Sequence, residues 1–218
     1  IDVGEQPFLY SSGNYGPGYV MVKGIVGQKY VFKTLIQSLG FKIAREIEKH
    51  SIDFVAGNVT GGVLPGWQLS EDLANRYGKS IPFVYVRDTR KKGGLREHVT
   101  GLDNNPEILP GSKVLVVEEL VNFATTTINS VKLFRELGYE AREAACILFY
   151  GNPIAIDELR KEQINMTYLL ILDDLLKVAE EKSMFPNKLF DDYRNFLADP
   201  LAWQKKRGFE PVATGGTK

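Results

Sequence analysis

The chain has 218 residues, with 27 basic and 27 acidic side chains and 44% hydrophobic residues. This suits one sizeable α/β domain with its own core, or one domain with a small appendage. The balanced charge excludes a global field that would draw nucleic acid or an anionic membrane, so any anion site has to be local. A single cysteine excludes an internal disulfide framework and indicates a reducing, cytoplasmic compartment, and no apolar run reaches the ~20 residues of a membrane span.

The predicted elements begin after a segment rich in glycine and aromatic residues, 1–27, for which we expect an irregular lobe of short strands and turns. Apolar strands then alternate with amphipathic helices, which is typical of a parallel sheet with helices on its faces. In chain order we predict helix 28–50, strand 54–56, helix 63–77, strand 82–86, strand 113–117, helix 125–137, strand 144–150, helix 155–162, strand 167–171 and helices 173–182 and 191–198. We therefore divide the chain into a hood segment, 1–27, an α/β domain, 28–182, and a C-terminal helix and tail, 183–218.

The most informative stretch starts at the valine-rich strand 113–117, which two carboxylates, Glu118 and Glu119, follow directly. Acids at the end of a buried strand can accept hydrogen bonds from ribose hydroxyls. The loop after them enters a helix, and its amides and hydroxyls, with the positive end of the helix dipole, can hold a phosphate. The site residues predicted in this loop are Asn122, Phe123, Ala124, Thr125, Thr126 and Thr127.

Both features also have a plainer explanation. The two glutamates can simply end a strand at the surface, and threonine is a preferred N-cap residue. Three threonines in a row exceed what capping needs, and a phosphate would use the surplus. The loop contains no glycine, so Cβ atoms stand at Ala124 and Thr125, where a backbone that approaches phosphate closely usually has none.

A second anion site is predicted after strand 54–56, where Asn58 and Thr60 lead into the Gly61–Gly62 pair. A Gly-Gly turn that follows polar residues can form a concave group of backbone N–H donors, which binds a further phosphate group. An ordinary strand-to-helix turn explains the same residues equally well.

The segment 87–96 carries five cations, one anion and two glycines in ten positions. We interpret it as a mobile lid that closes over a departing pyrophosphate and excludes water, although charge runs are usually solvated loops. Its predicted pyrophosphate contacts are Arg87, Arg90, Lys91 and Lys92. Catalytic roles are assigned to Arg87, Lys91 and Glu119.

Together these motifs resemble those of the type I phosphoribosyltransferases, and most of all those of the orotate phosphoribosyltransferases. Residues 114–127 resemble the superfamily's binding motif for phosphoribosyl pyrophosphate. Four further segments match those of the orotate enzymes in the right order: the N-terminal signature at 8–19, the pyrophosphate loop at 55–62, the strand before the catalytic loop at 84–87 and a C-terminal segment at 169–176. The resemblance implies a parallel-sheet type I phosphoribosyltransferase-like α/β fold, with helices on both faces and a small hood lobe.

The resemblance also implies an activity. A ribose 5-phosphate group would pass from phosphoribosyl pyrophosphate to a nitrogen of a pyrimidine-like nucleobase, with release of pyrophosphate, and with orotate as the base this is a step of UMP biosynthesis. It further implies a homodimer, and Mg²⁺ that is carried by the substrate pyrophosphate without direct protein ligands.

Several positions depart from the orotate pattern, and two of them are tyrosines. Tyr15 stands in place of a lysine that contacts substrate, and Tyr150 falls near an arginine that pairs with the orotate carboxylate. Two alternatives therefore stay open: a binding or regulatory protein without turnover, and a transferase for a different base.

Overall fold

The computed structural model describes residues 6–10, 12–87, 98–103 and 105–212. Two short 3₁₀ turns, Val22–Ile25 and Lys49–Ser51, flank the first helix. The strands and longer helices are β1 (Phe8–Leu9), β2 (Tyr15–Gly16), α1 (Lys29–Glu46), β3 (Phe54–Asn58), α2 (Val63–Tyr77), β4 (Phe83–Val86), β5 (Val99–Thr100), β6 (Lys113–Val121), α3 (Thr125–Glu136), β7 (Glu140–Phe149), α4 (Pro153–Lys161), β8 (Asn165–Ile171), α5 (Leu172–Glu181), α6 (Asn187–Ala198) and α7 (Pro200–Lys205).

The centre of the molecule is a six-stranded sheet in the order β5-β4-β3-β6-β7-β8. All neighbouring strands in it are parallel except β5, which pairs antiparallel with β4. β1 and β2 form a separate antiparallel ribbon in the hood segment. The predicted α/β class with a mostly parallel sheet is confirmed.

Apolar residues cover both faces of this sheet because successive strand residues point in opposite directions. In β6, Leu115 and Val117 belong to a core shared with α1, α2, α5, α6 and α7. Val114 and Val116 belong to the opposite core, which α3 and α4 complete. Every helix therefore buries one apolar stripe against the sheet or against a neighbouring helix.

The strand predicted to end at residue 117 is longer, and that prediction is wrong. β6 continues to Val121 because its parallel ladder with β7 continues, with Glu118 opposite Cys146 and Val121 opposite Phe149. Both acids thus lie within the strand, and their side chains point to opposite faces of the sheet. The first predicted helix, in contrast, is shorter than expected, since α1 ends at Glu46.

One helix, α7, was not predicted. Asp199 caps it by accepting a hydrogen bond from the backbone N–H of Ala202 at 2.9 Å, and Pro200 takes the first helical position. A proline is well suited to this position, since its missing N–H would have no partner there. None of the helices in the described ranges is long and apolar enough to cross a bilayer.

Buried polar contacts join the hood segment to the C-terminal residues. The Asn14 side chain donates to the carbonyl of Val212 at 2.9 Å and accepts from its N–H at 3.0 Å. Gln204, which is fully buried, donates to Asn14 Oδ1 at 3.1 Å and accepts from the N–H of Tyr15 at 2.7 Å. The C-terminal residues therefore hold the hood segment in place through hydrogen bonds.

Candidate active site

A cleft of about 860 Å³ lies at the carboxyl ends of β3 and β6. The chain leaves β3 through a helix on one face of the sheet and leaves β6 through a helix on the other face, which makes this a topological switch point. Open α/β sheets place their ligands in such a crevice. The hood segment closes one side with Phe8, Leu9, Tyr10, Ser12, Tyr19, Lys23 and Val26.

The structure brings most of the predicted site residues together. Those that line the cleft are Thr60, Gly61, Glu118, Glu119, Asn122, Phe123, Ala124, Thr125, Thr126 and Thr127. Asn58 lies beneath them and contacts Glu118. Arg87 directly follows β4 and is exposed; it is not among the described residues that line the cleft, so its role stays a prediction. Arg90, Lys91 and Lys92 fall outside the described residues, so the predicted lid stays a prediction.

The first turn of α3 points its amides at the cleft without a capping side chain. Its N-cap residue is Ala124, which has no side-chain acceptor to offer them. α4 and α7 differ in this respect, because Asn152 and Asp199 cap them with side-chain oxygens. Uncapped first-turn amides at the positive end of a helix dipole suit an anion, and a phosphate has enough oxygens to accept several of them.

Phe123, the bulky residue of this loop, packs into the core beneath the cleft. Its side chain is 7% exposed, and its ring meets the ring of Phe196 in α6 edge-on, with centroids 6.4 Å apart. The Phe123 ring therefore occupies space in the core and not the space beside the first turn of α3.

The two acids of β6 have different surroundings. Glu118 is 9% exposed and accepts a hydrogen bond from Asn58 Nδ2 at 2.7 Å, while Ser130 Oγ donates to Asn58 Oδ1 at 2.7 Å. Burial raises the pKa of Glu118 from 4.5 to about 8; the hydrogen bond from Asn58 opposes this shift and the charge of Glu119 adds to it.

Glu119 reaches over the turn that follows β3. A methyl group added to Gly61 would lie 2.3 Å from Glu119 Cδ, so a larger residue at this point would displace the Glu119 side chain. Burial raises the pKa of Glu119 as well, and the positive charge of Lys23 in the hood opposes that shift. Glu119 is therefore the acid that faces both the turn and the hood.

A family model for the phosphoribosyl transferase domain matches residues 30–177, which is more than half of the chain. The chain belongs to this family. Orotate phosphoribosyltransferases of Sinorhizobium medicae and Phocaeicola vulgatus are 26% and 28% identical to it, over 94% and 91% of this chain and 84% and 87% of their own.

Solved structures agree in fold. Orotate phosphoribosyltransferase from Aeropyrum pernix superposes with a TM-score of 0.61 at 22% identity, covering 83% of this chain and 92% of that one. UMP synthase from Leishmania donovani gives a TM-score of 0.68 at 19% identity, with 89% of this chain matching 38% of that longer one. The predicted resemblance to type I phosphoribosyltransferases of the orotate type, and the predicted class of glycosyltransferase, are confirmed.

Sequence reasoning missed several cleft residues of the hood in this phosphoribosyltransferase, Lys23 above all. A signal was present, since Lys23 is the only basic residue among the first 27.

The two tyrosines that depart from the orotate pattern lie apart from the cleft lining. Tyr15 stacks on Phe209 with centroids 4.1 Å apart, and Tyr150 is buried with its ring edge-on to Tyr10.

The raised pKa of Glu118 predicts a pH-dependent stability. Between about pH 4.5 and 8 the folded protein binds more protons at Glu118 than the unfolded chain, so the free energy of unfolding falls as the pH rises through this range. Glu118→Gln removes this effect, because a neutral amide keeps an acceptor for Asn58. We expect the variant's melting temperature, relative to wild type, to increase steadily from pH 5 to pH 8 and then to level off.

Thermal melts at several pH values check this expectation. Glu136→Gln, which replaces an exposed glutamate of α3, is the matched control. A melting-temperature difference between Glu118→Gln and wild type that stays the same from pH 5 to pH 8 would contradict the assignment.

Ala124 has φ of 63°, in the left-handed region that favours glycine. Ala124→Gly relieves about 1–2 kcal/mol of steric cost but loses a buried methyl group and adds flexibility to the unfolded chain. We therefore expect the free energy of unfolding of Ala124→Gly to differ from that of the wild type by no more than about 0.5 kcal/mol. The same substitution at Ala179, inside α5, is expected to lower the free energy of unfolding by about 1 kcal/mol or more. Urea unfolding of both variants measures the contrast, and equal losses would refute the argument.

Proposed function

We propose that this protein transfers ribose 5-phosphate from phosphoribosyl pyrophosphate to a ring nitrogen of orotate or a related pyrimidine-like base and releases pyrophosphate. One observation carries the proposal: the uncapped first turn of α3, the Glu119 carboxylate and the Thr60–Gly61 turn all face one cleft. These are the groups required for the phosphate, the ribose and the pyrophosphate of a single substrate.

In this arrangement the 5-phosphate binds to the loop 122–127 and the first-turn amides of α3. Glu119 accepts hydrogen bonds from the ribose hydroxyls, and Glu118 presents its remaining carboxyl oxygen at the floor of the cleft. The Thr60–Gly61 turn receives the pyrophosphate, with Asn58 fixing Glu118 from below. The base then lies towards the hood, where aromatic side chains line the cleft.

The reaction breaks the bond between the ribose C1 and a pyrophosphate oxygen and forms a bond from C1 to the base nitrogen, while the proton of that nitrogen is released to the pyrophosphate or to water. Positive charge develops on the ribose ring in an oxocarbenium-like state while negative charge grows on the pyrophosphate. The Glu119 carboxylate stabilises the ring through its hydroxyls, and Arg87, Arg90, Lys91 and Lys92 stabilise the leaving group. Catalysis then depends mainly on the positioning of the two substrates and on electrostatic stabilisation of the developing charges.

We propose that the substrate pyrophosphate carries Mg²⁺, which would neutralise part of its negative charge. The donor set of the cleft fits this. One of its two carboxyl groups, Glu118, is buried and already accepts a hydrogen bond from Asn58.

We also propose that the protein is a cytoplasmic homodimer with no nucleic-acid or membrane partner. The division into residues 1–27, 28–182 and 183–218 likewise remains a proposal. Family membership supports a dimer, and sedimentation equilibrium tests it directly, since a monomer at micromolar concentration would exclude it.

Calorimetric titration with phosphoribosyl pyrophosphate and Mg²⁺, followed by assays of pyrophosphate release with orotate, uracil and other bases, tests the activity. No binding would exclude both transferase hypotheses. Binding without release on any base would support a regulatory protein, which the comparisons do not favour. Release with a base other than orotate would identify that base as the substrate.

A further inference from the structure

Two helices of this protein begin in the same way. In α4 and α7 the N-cap side chain accepts a hydrogen bond at 2.9 Å from an alanine N–H three residues later, and a proline follows the cap. The cap is Asn152 in α4 and Asp199 in α7. Because Asp199 performs this role with a carboxylate, capping requires only an acceptor, and the amide N–H₂ of Asn152 is not needed for it.

The Asn152 amide is instead directed at the phosphate loop. Its Nδ2 donates to the backbone carbonyl of Asn122 at 2.6 Å and to Asn122 Oδ1 at 3.0 Å. Asn152 is fully buried, and the neighbouring N–H of Tyr150 donates to the carbonyl of Val121 at 2.8 Å. The connection between β7 and α4 therefore holds the end of β6 and the start of the loop 122–127 by hydrogen bonds.

This support matters because the loop has little to fix it locally. Ala124 has a left-handed φ, which is sterically costly for a residue other than glycine, and it has no side chain that could cap α3. The contact with Asn152 also orients the Asn122 amide. Since Oδ1 accepts from Asn152, Nδ2 of Asn122 faces away from it, buried and with no hydrogen-bond partner among the described residues, in a residue that lines the cleft.

We propose that Asn152 is a positioning residue for the 5-phosphate. It holds the carbonyl and the side-chain amide of Asn122, and with them the start of the loop 122–127, so that the first-turn amides of α3 point at the phosphate. The inference rests on the proposed function, and it assigns Asn152 a role that a cap alone does not require.

Two substitutions separate the two roles of this side chain. Asn152→Asp keeps the acceptor for the N–H of Ala155 but puts a carboxylate oxygen against the two oxygens of Asn122. Asn152→Ser also keeps a good N-cap and removes the amide donor that reaches Asn122, without adding charge. Each variant is expected to bind ribose 5-phosphate about tenfold more weakly, while magnesium pyrophosphate, which binds at Thr60–Gly61, keeps its affinity.

Asp199→Asn, the reverse exchange at the matching cap of α7, is the control and is expected to leave both affinities unchanged. Calorimetry with ribose 5-phosphate and with magnesium pyrophosphate gives the readout. Equal weakening of both ligands, or of neither, in the Asn152 variants would overturn the inference. If the wild-type protein itself fails to bind ribose 5-phosphate and phosphoribosyl pyrophosphate, the proposed function fails, and the inference that rests on it fails as well.

Discussion

Phe196→Ala is expected to lower the free energy of unfolding by about 3–5 kcal/mol. Phe196 is fully buried in α6, and its ring contacts those of Tyr10, Phe123 and Trp203 at centroid distances of 6.2, 6.4 and 5.5 Å. Truncation to alanine removes these contacts and leaves a cavity that three large rings can fill only in part. Urea unfolding with constant m-values measures the loss.

The same substitution is expected to weaken the binding of phosphoribosyl pyrophosphate, because Tyr10 and Phe123 both line the cleft. Phe190→Ala is the matched control. Phe190 is also fully buried in α6, but its ring contacts Phe185, which lies apart from the cleft lining. We expect a similar loss of stability with unchanged affinity, and equal loss of affinity in both variants would contradict the specific role of Phe196.

Lys91→Ala is expected to lower kcat by about 10²–10³-fold while the affinity for the base stays unchanged. The argument is electrostatic, since removal of one group that stabilises developing negative charge affects the transition state and not the bound base. Lys91 lies outside the described residues, but in the sequence it falls between β4 and β5, which pair through Val86 and Val99. Both ends of the segment are therefore anchored at this edge of the sheet.

Steady-state kinetics and equilibrium binding of the base measure the two quantities separately. Lys188→Ala removes a cation from the exposed surface of α6 and serves as the control. Equal losses in turnover and in base affinity would contradict a lid that acts on the leaving group, because such a lid acts mainly in the transition state.

Local patterns predicted most of the secondary structure. Helix α2 begins and ends at the predicted residues, because apolar residues recur at helical spacing and Gly78, with φ of 63°, ends the helix. The acid pair and the threonines were found for the same reason, since a site built at the end of one strand is contiguous in sequence. Contacts within one segment of chain leave a pattern that can be read without the rest of the fold.

Long-range contacts left no such pattern. The length of β6 depends on its pairing with β7, and this pairing directs Glu118 and Glu119 to opposite faces. Lys23 reaches the cleft only because the hood lies over it, and Asn152 donates a hydrogen bond to the loop 122–127 from a position 30 residues away in the chain. Neither residue could be assigned to the site before these segments were brought together.

The sequence by itself thus determined the alternation of strands and helices, the family and the chemical groups available to a phosphorylated sugar, because periodicity and short motifs are properties of neighbouring residues. Only the tertiary structure decided which acid is buried beside Asn58, where the ring of Phe123 packs and which distant residue holds the loop 122–127. Burial and hydrogen bonding between distant segments exist only once the sheet has assembled and its helices have packed against it.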